Sequence, residues 1–147
     1  MKKILLIGAL GFGVVGCSSI VVKPTSVSTL QQSPLCIEDN PKVTVPNFND
    51  YLKDAFQRHQ IKTQIYDKND LPESCRYKLN YVAYRSWDIS LYLSQIKLDL
   101  FEGNEKIAEV DWKQGSGAIN KWRNSESKVF DAVDQLVGEA KKSKEPK

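Results

Sequence analysis

Between Arg76 and Lys113 apolar and polar residues alternate with a period of two, and no other feature constrains the fold as tightly. Tyr77, Leu79, Tyr81 and Ala83 alternate with Arg76, Lys78 and Asn80. The pattern breaks at Trp87-Asp88 and resumes over 91–101. There Tyr92, Ser94, Ile96, Leu98 and Leu100 share one face, and Gln95, Lys97 and Asp99 the other. Glu102-Gly103-Asn104-Glu105 is a turn sequence, after which Ala108, Val110 and Trp112 carry the alternation through 106–113. Successive side chains point to opposite faces only in an extended strand, so these runs predict three antiparallel strands in a meander. A sheet with one apolar face must bury that face against another layer.

The covering layer is legible on either side. Phe48, Tyr51, Leu52, Ala55 and Phe56 recur at helical spacing, with Asn47 or Asn49 as the cap and an end near His59 or Gln60. Val129, Ala132, Val133, Leu136, Val137 and Ala140 form a second stripe behind a cap at Asn124 or Ser125. Leu35-Cys36-Ile37 and residues 61–66 read as two further short strands. The expected fold is therefore α+β: a two-layer sandwich, its mostly antiparallel sheet of about four to five strands carrying two helices on one face. About 130 residues suit a single core.

Residues 1–17 follow a different logic. Lys2 and Lys3 precede an apolar run over 4–15, shorter than the ~20 residues that span a bilayer. Val14-Val15-Gly16-Cys17 closes it. This order resembles the lipobox of bacterial lipoprotein precursors. The resemblance implies cleavage after Gly16, a diacylglycerol thioether on Cys17 and an acylated amine, with palmitate among the chains. Two or more acyl chains anchor a protein stably, whereas one binds marginally. Ser18, rather than Asp, follows Cys17; in the Gram-negative members of that family this implies an outer-membrane address facing the periplasm. The expected organisation is a signal peptide over 1–16, a lipidated N-terminus and flexible tether over 17–33, a domain over 34–140 and a basic disordered tail over 141–147.

Loss of Lys2 and Lys3 leaves 19 cations against 18 anions, interleaved along the chain. Such a balance carries no nucleic-acid footprint. Cys36 and Cys75 remain as an even pair. In an oxidising compartment they read as a disulfide, since no flanking ligand cluster supports a metal pair or a reactive thiol.

The sequence offers no set of residues for catalysis. It has no glycine-rich phosphate loop, HExxH, CxxC or GxSxG. His59 is the one histidine and reads as a surface or capping residue. Asp67 with Asp70 falls in a turn, and Asp131 with Asp134 on the polar side of a helix. No catalytic residue, metal or cofactor is expected. Two segments stand out instead: Tyr84-Arg85-Ser86-Trp87-Asp88 and Lys121-Trp122-Arg123-Asn124-Ser125. Trp, Tyr and Arg dominate binding hot spots, which makes Tyr84, Arg85, Trp87, Asp88, Trp122 and Arg123 candidate partner-binding residues. The competing reading has both tryptophans capping the core. Tyr81 to Asp88, Tyr92-Leu93, Lys121-Trp122, Ser125-Glu126-Ser127-Lys128 and Val133-Asp134-Gln135-Leu136 also resemble small proteobacterial lipoproteins of unassigned function, over most of 76–137. That resemblance carries no catalytic residue. The expected function is a non-enzymatic, membrane-anchored binding or scaffolding domain of the cell envelope with a protein partner. The alternatives are an inhibitor or immunity protein against an envelope-acting toxin or lytic enzyme and, behind it, an enzyme on cell-wall or lipid substrates.

Overall fold

The computed structural model describes residues 19–115 and 119–139. The expected signal peptide, Cys17 and the basic tail over 141–147 lie outside the described residues. In chain order the elements are β1 (Ser19–Lys23), α1 (Val27–Leu30), β2 (Leu35–Glu38), α2 (Phe48–Gln57), β3 (Thr63–Tyr66), β4 (Tyr77–Asp88), β5 (Ser90–Glu102), β6 (Glu105–Lys113) and α3 (Ser125–Leu136). The strands form one sheet in the order β1-β6-β5-β4-β2-β3. β1, β6, β5 and β4 pair antiparallel, while β2 runs parallel to both β4 and β3.

The architecture is the expected α+β sandwich, with a sheet one strand wider than anticipated. Tyr77, Leu79, Tyr81 and Ala83 of β4 are buried together with Ile96, Leu98 and Leu100 of β5 and Ala108, Val110 and Trp112 of β6. The intervening residues of these strands are only half-buried. α2 and α3 pack on each other over the apolar face, α3 lying against β5 and β6 and α2 against β3. Their stripes are as read from spacing: Phe48, Leu52, Ala55 and Phe56 on one, Val129, Ala132, Val133 and Leu136 on the other. Asn124 caps α3, its side chain accepting from the Ser127 amide at 2.8 Å. Asn47 stands at the start of α2 in the left-handed region, at φ 58°, with no side-chain cap.

Three expectations are corrected. Residues 17–33 are not a free tether over the described part of that span. β1 pairs with β6 from Ser19↔Lys113 to Lys23↔Glu109. Ile20-Val21-Val22 favours a strand, and its pairing covers an edge of β6 that would otherwise present bare backbone groups. Leu30 is then fully buried, and the Thr25 amide donates to Leu136 O at 2.8 Å.

The inward face of β5 also changes along the strand. Tyr84 pairs with Gln95 but Arg85 with Leu93, so Ser94 is an extra residue. One inserted residue reverses a period of two. Leu93 is buried as a result, whereas Tyr92 and Ser94, expected on the core face, are not.

The third correction concerns His59 and Asp134. Both are largely buried and meet between α2 and α3, His59 Nε2 lying 2.7 Å from Asp134 Oδ1. They are neither a capping residue nor a solvated helix face.

Cys36 and Cys75 form the expected disulfide, with Cα atoms 5.9 Å apart and 39 residues of separation. Cys36 is in register with Lys78 on β4, so the bridge fastens the start of β4 to the parallel side of the sheet. Replacing both cysteines with alanine should lower the unfolding free energy by about 2–5 kcal/mol, because the unfolded chain regains the closed loop's entropy. Denaturant titration of the two forms measures this.

Candidate functional site

β4 and β5 outrun their neighbours. The last rung that β5 shares with β6 is Gln95↔Lys113, while β4 and β5 continue to Asp88↔Ser90. At ~3.3 Å per residue this two-stranded ribbon projects about 13 Å beyond the rest of the sheet. Ile89 forms the turn at φ 63°. A β-branched residue in the left-handed region is strained by about 1–3 kcal/mol, where Gly or Asn would sit without cost.

The ribbon presents apolar side chains to solvent. Trp87 is 72% exposed, Ile89 81% and Leu91 55%, and Trp87 and Leu91 are cross-strand partners on one face. Tyr84, at the root of the ribbon, is also exposed. Trp87 therefore does not cap the core. Among the described residues seven large hydrophobics are exposed, and six of them are Tyr84, Trp87, Ile89, Leu91, Ile119 and Trp122. All six belong to this ribbon or to the loop that meets it, which is the concentration that marks an interaction surface.

The two segments singled out in the sequence come together through Asp88. Lys121 Nζ donates to the Asp88 carboxylate, and Trp122 Nε1 donates to Asp88 O at 3.0 Å. Lys121 also lies over the Trp122 ring, 4.6 Å from its centroid. The arginines turn elsewhere. Arg85 Nη2 reaches Thr44 Oγ1 at 3.1 Å, and Arg123 Nη2 pairs with Asp131 at 2.6 Å on α3. The site thus gathers Trp87, Asp88 and Trp122, has Tyr84 at its root, and keeps Arg85 and Arg123 at its margins. Ile89, Leu91 and Lys121 complete it. The alternation breaks at Trp87-Asp88, and Asp88 and Ser90 are turn-forming types, but no Gly or Asn marks the left-handed position, so Ile89 could not be placed at an apex from its neighbours.

Beneath the ribbon lies Lys128, fully buried on α3. Its Nζ donates to Leu93 O at 2.9 Å and to Lys121 O, joining the ribbon's inner strand to the loop. Tyr92 and Trp112 place ring centroids 5.6 Å from the same nitrogen. Its place in the core was legible in hindsight, four residues before Ala132 and eight before Leu136 on one helical face. Burial, with the nearby Arg123 charge, lowers its pKa to about 8.

A concavity with a volume of about 410 Å³ is lined by Asp39, Asn49, Gln64, Tyr66, Asp67 and Asp70, among others. It gathers several ionisable groups: Asp39 is hydrogen-bonded, whereas Asp67 and Asp70 are exposed in a turn. Asn49 Nδ2 donates to Asp39 Oδ1 at 2.7 Å, and Tyr81 donates to Asn49 Oδ1 at 2.6 Å. Burial, and Glu38 beside it, raises the Tyr66 phenol far above its ordinary range, and burial likewise raises Tyr81, so both stay protonated. No three His, Cys, Asp or Glu side chains among the described residues are placed to hold a metal ion.

Lys128 generates a pH prediction. The folded chain binds its proton less tightly than the unfolded chain does, with a pKa near 8 against 10.5. Stability should therefore rise as pH increases from 8 toward 10, by an amount on the order of 3 kcal/mol over the full window. The raised tyrosines act in the opposite sense above pH 10, where the unfolded phenols ionise first. Lys128→Met should abolish the rise between pH 8 and 10 while leaving the fall above it. Urea unfolding of both forms across this range measures the difference.

No family model matches the chain, and no curated protein matches it. Among solved structures the chain is similar to the PelC dodecamer from Paraburkholderia phytofirmans, with a TM-score of 0.54 at 9% identity, covering 84% of this chain and 94% of that one. A substituted form of the same PelC gives a TM-score of 0.52 at 10% identity with equal coverage. At such identities the likeness is one of fold.

Proposed function

We propose that this chain is a lipid-anchored envelope protein whose domain serves as a binding or scaffolding unit and carries out no chemistry of its own. The observation that carries this reading is the exposed apolar site built from Trp87, Ile89, Leu91 and Trp122 on a projecting ribbon. A catalyst needs a cleft with free acid, base or nucleophilic groups. Here the cleft commits Asp39 to hydrogen bonds, holds the Tyr66 phenol protonated, and adds only the exposed turn carboxylates of Asp67 and Asp70, with no histidine or cysteine beside them. The PelC likeness adds support of a coarse kind, because that fold there builds a dodecamer. A domain of this shape suits assembly and contact.

Attachment would come from lipid on Cys17. No helix among the described residues is long and apolar enough to cross a membrane. The lipobox-like Val14-Val15-Gly16-Cys17 supplies the acceptor sulfur, and the outer membrane's periplasmic face is the proposed site of work. Cells fed labelled palmitate should incorporate it into the native chain, and Cys17→Ala should lose both the label and the membrane fraction. An unlabelled native protein, or a Cys17→Ala form that still fractionates with membranes, would contradict the anchor.

A further inference from the structure

The direction of β1 places the anchor and the apolar ribbon at the same end of the domain. β1 is antiparallel to β6, so its first residue, Ser19, is level with Lys113. Lys113 is level with Gln95, and Gln95 with Tyr84. That row is the base of the ribbon. Cys17 is two residues upstream of Ser19, and two residues reach at most about 7 Å. On the lipoprotein reading, the backbone of the lipidated residue therefore stays within that reach of Ser19. The ribbon extends about 13 Å beyond the same row, so with the ribbon directed at the bilayer its apex passes the level of the Cys17 backbone.

We infer that the tip of the β4–β5 ribbon, with Trp87, Ile89 and Leu91 foremost and Trp122 beside them, enters the interfacial layer of the bilayer that holds the Cys17 lipid. The inference rests on the proposed anchor, and it names the partner of the candidate site as a lipid surface. Tryptophan belongs at membrane–water interfaces, where the ring's apolar body is covered and the indole N–H stays bonded. The Trp122 indole N–H is already bonded to Asp88 O, so only its apolar ring has to be accommodated. At the margin Arg85 bonds only to the neutral Thr44 hydroxyl and suits an anionic headgroup, while Lys121 and Arg123 are already paired with Asp88 and Asp131. The apex is convex and one residue wide, a shape for insertion into a soft layer rather than for filling a protein groove. The strain at Ile89 keeps an apolar side chain at the outermost point, where Gly or Asn would relieve the backbone. Taking the reach of at most about 7 Å from the ribbon's ~13 Å leaves an overhang of at least about 6 Å, on the scale of an interfacial contact of about 5–10 Å. Two contacts, lipid and ribbon, would fix the orientation of a domain that one contact leaves free to rotate.

The mature lipoprotein, purified from its host, is placed in phosphatidylethanolamine–phosphatidylglycerol vesicles with or without brominated acyl chains. Tryptophan emission is compared with that of Trp87→Phe, and palmitate content is measured in parallel. Brominated lipid should quench the part of the emission that Trp87→Phe lacks. The Ile89→Gly, Leu91→Ser double variant removes apolar side chains while easing the turn; it should keep its palmitate and melting temperature and lose that quenching. Palmitoylated protein whose Trp87 emission ignores brominated lipid would overturn the inference and leave the anchor standing, with a protein as the occupant of the site. Quenching of Trp87 without palmitate would support the ribbon's insertion and remove the anchor. Absence of both would remove both.

Discussion

β1 lies antiparallel along β6, and that pairing sets Ser19 level with Lys113, Gln95 and Tyr84. Had the same five residues hung free, the domain could present any face to a membrane holding its N-terminus. With them in the sheet, the point of exit and the projecting ribbon share one end. The pairing is reinforced further along the segment, where Thr25 bonds to Leu136 and Leu30 is buried. A tail tied at several points to α3 and β6 behaves as part of the domain. Orientation is thus a property of strand direction, and the function proposed for the ribbon follows from it.

The ribbon itself is a two-stranded structure beyond the support of the sheet, and isolated hairpins are marginal in water. Its stiffness comes from below. Lys128 joins Leu93 O to Lys121 O, and Asp88 receives Lys121 and the Trp122 indole. A buried lysine without a carboxylate is disfavoured as the charged form, which is why its pKa falls. Here the backbone carbonyls and the rings of Tyr92 and Trp112 offset part of that penalty. The arrangement holds polar groups inward at the root so that apolar ones can face outward at the tip.

Much of this fold was legible because the alternation over 77–83 and 96–112 reports burial directly, and the stripes of α2 and α3 do the same at helical spacing. What failed to show did so for identifiable reasons. β1 is five residues in a stretch otherwise rich in Ser, Thr and Gln; Ile20-Val21-Val22 favours a strand, but the pairing with distant β6 that fixes it is revealed by no local pattern. The extra residue at Ser94 reverses the inward face of β5, so alternation extrapolated past it selects Tyr92 instead of Leu93. Asp134 and His59 are polar in isolation and become buried only by meeting across 75 residues. The candidate site shows the same division. Trp, Tyr and Arg composition pointed to Tyr84 through Asp88 and to Trp122, but their union depends on contacts from Asp88 to Lys121 and Trp122, more than thirty residues away. Ile89 lacked any turn chemistry to mark it.

The docking of β1 can be measured without reference to lipid or partner. Hydrogen exchange on the mature protein reads the amides of residues 19–23 directly. If β1 is part of the sheet, the alternate amides that face β6 exchange far more slowly than free peptide, approaching the protection of β6 itself. Exchange of all five at the free-peptide rate would show a loose tether, and the shared end of anchor and ribbon would no longer hold.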